Sequence, residues 1–155
     1  MSDKLIKQVA VELEQLSNLL QTYRPLVSRC ATVKPDPIEL SALAAMLHAF
    51  YTGIENILKR IAMERDGGLP RSEIWHRQLL DAMTHSSLSR PEVISTSLRD
   101  LLRMYLDFRH VFRHAYTFEL RWKKMAGLVF DCEKVVLQLQ TELDMFFKAL
   151  EIKKS

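Results

Sequence analysis

Two side chains five positions apart, Arg109 and His114, carry the strongest chemical signal in the sequence. Histidine exchanges protons near neutrality, with an unperturbed pKa of ~6.5. Arginine stays charged and forks to grip phosphate oxygens. Together they suit cleavage of a phosphodiester, in which protons move and negative charge builds on phosphorus. The segment FRHVFRHAYTFELRWKK, from Phe108 to Lys124, adds His110, Arg113, Tyr116, Arg121, Lys123 and Lys124. Between Arg103 and Lys124 six basic residues face two acidic ones, so this window carries +4 while the whole chain carries only +3. A cleft that attracts phosphates has this charge, and so does a solvated helix end.

Spacing says more. Leu98, Leu102, Tyr105, Arg109, Phe112 and Tyr116 form one helical row, and Arg109 falls where an apolar residue belongs. A cation at the edge of a core or interface needs an anion or dipole as partner. The opposite row holds Asp100, Arg103, Asp107, His110 and His114. On an unbroken helix Arg109 and His114 diverge by about 140°. They cooperate if the helix ends near His114, where Thr117 is placed to cap the next helix, or if a second copy faces the first across a two-fold axis. His110 and His114 have the spacing of metal ligands, but no carboxylate-rich or HExxH context accompanies them, so neither metal nor cofactor is expected. His48, His76 and His85 read as surface or internally satisfied histidines.

The elements that must hold these residues are helices. Leu5, Val9, Leu13, Leu16, Leu20, Tyr23 and Val27 mark a first helix over about Lys4 to Arg29. Pro35 and Pro37 interrupt the pattern, and Asp36 is placed to cap a second helix over about Pro37 to Glu64, which Gly67, Gly68 and Pro70 end. A short helix is expected from Ser72 to Met83. A fourth is expected from Pro91 to His114, with Ile94, Leu98, Leu101, Tyr105, Phe108 and Phe112 inward, and Ser89 and Glu92 have capping-box spacing. The fifth is expected from Phe118 to Ile152, with Trp122, Met125, Val129, Cys132, Val136, Leu139, Leu143, Phe146 and Leu150 inward. Spacings near 3.5 and short links imply an all-α, up-and-down four-helix bundle with one additional short helix.

Composition sets limits. Only 4 Gly and 5 Pro interrupt 155 residues, which favours few long elements in a single domain over residues 1–155. No apolar run is long enough to span a membrane. The start, MSDKLIKQ, lacks the apolar core of a secretion signal, so a cytoplasmic protein is expected. Cys30 and Cys132 lie in apolar helical patterns and are expected as reduced, packed thiols.

The run Arg109-His110-Val-Phe-Arg113-His114-Ala-Tyr116 resembles the HEPN signature, Arg-x4-6-His with a polar residue after the arginine, and its narrower HepT form, Arg-x4-His-x-Tyr. FYTGIENILKRIA, in the second helix, is similar to the corresponding HepT-like helix. The resemblance runs over roughly residues 40–150. It implies a HEPN-like helical homodimer in which two copies of the motif line one cleft. It also implies metal-independent endoribonuclease activity on RNA, with Arg109 and His114 catalytic and His110 and Arg113 supporting. Arg121, Lys123 and Lys124 would hold the RNA backbone. The implied partner is an MntA-type nucleotidyltransferase antitoxin that transfers AMP to Tyr116 and silences the toxin. Two other readings stay open: a non-catalytic HEPN module that binds nucleotides or a partner, and a plain helical scaffold.

Overall fold

One segment is apolar on every side, and a helix of that kind belongs in the middle. It is α2, Pro37–Ile61. Asp36 and Glu39 close a capping box at its start, and Pro37 takes the first helical position. Leu43, Leu47, Phe50, Ile54 and Ile57 are fully buried on one row, and Ala44, Tyr51, Glu55 and Leu58 are buried beside them. The computed structural model describes residues 2–114, 116 and 119–154. Around α2 lie α1 (Ser2–Cys30), α3 (Trp75–Ala82), α4 (Thr96–His114) and α5 (Trp122–Lys154), and there is no strand among the described residues.

α2 packs on each of the other four helices, and α5 also packs on α1 and α4. Side-chain contacts fix the directions. Arg60 of α2 meets Glu12 of α1 while Glu39 meets Arg29, so α1 and α2 run antiparallel. His48 meets Phe112 and Glu55 meets Arg109, so α2 and α4 do as well. Ser95 bonds Glu142 and Tyr105 donates to the Leu128 carbonyl, which sets α4 against α5 in the same sense. Close approach decides one position: a Cβ at Gly53 would lie 2.8 Å from Leu16 Cδ2, so α1 and α2 touch where α2 has no side chain.

Several expected boundaries move. α2 ends at Ile61 and passes into a π-helical turn, Ala62–Asp66, that Gly67 stops with φ of 78°; only glycine adopts that left-handed geometry without strain. α3 is shorter than Ser72 to Met83, because the Ser72 hydroxyl accepts the Ile74 N–H and helix begins at Trp75. α4 starts at Thr96 rather than Pro91. The N–H groups of Val93 and Ile94 bond the Met83 carbonyl at 2.8 and 3.1 Å, and the Ser95 hydroxyl, not the expected Ser89, accepts from Leu98 N–H. Arg90 binds this link from inside: its buried guanidinium takes both Asp66 carboxylate oxygens at 2.7 and 3.0 Å and the carbonyls of Ala82, His85 and Pro91. Thr117, the expected cap, and Phe118, the expected start of the last helix, lie outside the described residues.

The inward face of α4 also differs. Leu98, Leu102, Tyr105 and Arg109 are its buried residues, whereas Leu101, Phe108 and Phe112 are only half-buried. The row containing the arginine is therefore the core row. Among the described residues no helix is long and apolar enough to cross a membrane.

Candidate functional site

Arg109 sits on the buried face of α4, 3% exposed, opposite the middle of α2. A guanidinium there is tolerable only if its charge is answered. Glu55, 5% exposed, answers it: Arg109 Nη2 donates to Glu55 Oε2 at 3.0 Å. Nη1 donates to the Thr52 hydroxyl at 3.3 Å, and the guanidinium carbon lies 4.8 Å from the Tyr51 ring centroid, on the ring's electron-rich face. Thr52 and Glu55 share the face of α2 that meets α4, so one helical turn supplies both contacts.

The third member comes from α3. His76 Nδ1 lies 2.8 Å from the same Oε2 of Glu55 and 3.1 Å from Arg109 Nη2. A deprotonated Nδ1 would set a lone pair against a carboxylate oxygen at 2.8 Å, which is repulsive. The proton therefore resides on Nδ1, and His76 and Arg109 both donate to one carboxylate oxygen. Of the three side chains His76 is the exposed one, at 29% against 6% for Glu55 and 4% for Arg109. The ring packs on Trp75, over which Lys59 holds its ammonium 5.8 Å from the ring centroid.

His48, a turn earlier on α2, borders this cluster. Its ring lies 5.7 Å from that of Phe112, and Nδ1 is buried with no partner among the described residues. Burial, then the nearby charges of Arg109 and Arg113, hold its pKa below the ordinary histidine value. The Tyr51 hydroxyl is likewise buried without a partner there, and burial pushes its pKa up, with Glu55 adding to the effect.

The residues singled out in the sequence fall into four places. Arg109 points into the core. His110 and His114 are exposed on the far side of α4, their ring centroids 4.7 Å apart, and Arg113 is exposed near them. Within one chain Arg109 and His114 therefore do not share a surface. Tyr116, just beyond α4, is 71% exposed. Arg121, Lys123 and Lys124 line a cleft of ≈ 910 Å³ with Lys34, Trp122 and Leu40, at the start of α2 and the start of α5. Four cations and no carboxylate line that cleft among the described residues, so it draws anions. Among the described residues no group of three His, Cys, Asp or Glu side chains gathers to hold a metal ion.

Sequence reasoning passed over Glu55 and Lys34, and read His76 only as a surface or internally satisfied histidine, which its bond to Glu55 fits. Glu55 left a signal: a carboxylate one turn after Tyr51 on the apolar side of the second helix, matching the arginine set into an apolar row of the fourth. His76 left none, because its approach to the cluster depends on how α3 docks.

A family model described as HepT-like protein matches residues 42–150. That stretch includes all three members of the cluster and the whole of α4. No curated protein and no solved structure matches the chain.

Proposed function

The chain belongs to the HepT-like family of HEPN-type proteins associated with toxin–antitoxin pairs, and on that premise we propose that it is a metal-independent endoribonuclease toxin. The observation that carries the reading is the construction of α4: its core side holds an arginine charge in a fixed place, and its last turn exposes two histidines in ring contact. RNA brings its own nucleophile, the 2′-OH, so the protein needs to supply proton transfer and positive charge. His114 transfers the proton, Arg109 supplies the charge that stabilises the phosphorane-like state, and His110 and Arg113 support them. The cleft of Arg121, Lys123 and Lys124 holds the backbone of the RNA, with the Trp122 ring as a surface for a base.

A homodimer brings the two faces of α4 to one groove. Leu101, Met104, Phe108 and Val111 form a second apolar stripe beside the core row; Met104 is 55% and Val111 54% exposed. A helix with two apolar stripes suits burial against a second copy. Control falls to Tyr116: transfer of AMP to this exposed tyrosine by an MntA-type nucleotidyltransferase antitoxin adds bulk and negative charge beside the histidines, which repels RNA. Such a pair acts in the cytoplasm.

One observation favours a second reading. The Arg109 guanidinium is turned inward and held by Glu55 and Thr52, which suits a non-catalytic module that binds nucleotides or a nucleotidyltransferase partner. Incubating the purified chain with RNA in excess EDTA separates the two. Fragments ending in 2′,3′-cyclic phosphate and 5′-OH support the ribonuclease, and intact RNA supports the binding module.

A further inference from the structure

Of the three side chains in the ion cluster, His76 is the one most open to solvent, at 29% against 6% for Glu55 and 4% for Arg109. The hydrogen-bond geometry also fixes what that ring can do. With Nδ1–H held on Glu55 at 2.8 Å, the neutral imidazole keeps its free lone pair on Nε2. This division of labour, one ring nitrogen anchored to a buried acid and the other left to take a proton, is what a general base needs. Arg109 and Thr52 hold the carboxylate side of the arrangement in place, and the stacked Trp75 holds the ring.

We propose that His76 is the general base of the RNA cleavage reaction, with Glu55 and Arg109 as the residues that position it. The inference rests on the ribonuclease reading above and deepens it by naming the group that takes the 2′-OH proton. In the step, Nε2 of His76 takes the proton of the 2′-OH. The freed O2′ electron pair forms the bond to phosphorus, and the bond from phosphorus to O5′ breaks. O5′ leaves with a proton from the protonated His114 that the proposed homodimer brings to the same groove. The products are a 2′,3′-cyclic phosphate and a 5′-OH. His76 ends protonated and His114 neutral, and exchange with water resets both.

Two substitutions and two RNAs test this. His76→Asn keeps an N–H donor where Nδ1–H stands but has no group that accepts a proton. His114→Ala removes the other proton-transfer group. The RNAs are a single-stranded oligonucleotide cleaved by the wild-type protein in EDTA, and the same strand with sulfur replacing O5′ at the mapped cleavage site. Sulfur leaves without being protonated, so an acid becomes dispensable and a base does not. His76→Asn is expected to melt like the wild type, to bind RNA with little change in KM, and to lose about 100-fold or more in kcat on both substrates. His114→Ala is expected to lose a similar factor on ordinary RNA and to regain most of it on the sulfur-containing strand. Near wild-type kcat in His76→Asn, or its rescue by the sulfur leaving group, overturns the assignment while leaving the ribonuclease reading in place. No cleavage of RNA by the wild-type protein overturns both.

Discussion

Leucine in place of Glu55 should cost far more stability than methionine in place of Arg109, although the two side chains form one ion pair. The pair is buried on both sides, at 5% and 3% exposure. Removing one partner of such a pair leaves an unanswered charge, a loss of roughly 3–5 kcal/mol. Glu55→Leu does this: the guanidinium keeps only neutral contacts, the Thr52 hydroxyl, the Tyr51 ring and the His76 ring nitrogen 3.1 Å away. Arg109→Met leaves Glu55 with the His76 Nδ1–H at 2.8 Å, so its cost falls nearer the ~1–3 kcal/mol of a single lost partner. The double variant removes both charges and is expected to be more stable than Glu55→Leu alone. Urea unfolding of the four proteins, at one protomer concentration so that assembly is held constant, measures all three differences. A Glu55→Leu cost within about 1 kcal/mol of that of Arg109→Met, or strict additivity in the double variant, contradicts the shared-carboxylate arrangement.

Three further outcomes follow from the geometry. His48 is held below its ordinary pKa by burial and by Arg109 and Arg113, so the unfolded chain takes up its proton first as pH falls. Stability should therefore drop as pH falls through the ordinary histidine range, and His48→Leu should flatten that drop in urea midpoints measured between neutral pH and pH ~5. Replacing Arg121, Lys123 and Lys124 together with alanine should weaken RNA binding and lower the slope of log K against log salt by about 2, at ~0.7 per phosphate contact on a single strand; an unchanged slope places the RNA elsewhere. Cys132 is buried and its thiol is pushed up to about 12, while burial raises the pKa of Cys30 too, so both should resist iodoacetamide in the native state and react once the chain is unfolded.

The helical class and the order of the five helices were legible because apolar residues recur at three and four along each of them. The second-helix cap at Asp36 was legible for a similar reason, being written in local residues, and the structure adds Glu39 as its capping-box partner. What periodicity left undecided was rotation. α4 carries two adjacent rows that share Leu98, Tyr105 and Phe112, and the wholly apolar one read as the core; packing against α2 buries the expected Leu98 and Tyr105 together with Leu102 and Arg109 of the other row. Only a long-range partner permits that choice, and Glu55, 54 residues earlier in the chain, is the partner. The same limit hid His76, whose role depends on an Arg90 clamp and a short helix that no periodic pattern encodes. The start of α4 moved because two backbone bonds to Met83 outcompete a helical turn across Pro91.

Cleavage of a labelled RNA by the purified chain in excess EDTA, compared between the wild-type protein and His114→Ala, bears on the whole proposal at once. The wild type should produce fragments with 2′,3′-cyclic phosphate ends at a rate about 100-fold or more above the variant. Equal rates in the two proteins, or no cleavage by either, would show that the exposed histidines at the end of α4 do not do this chemistry.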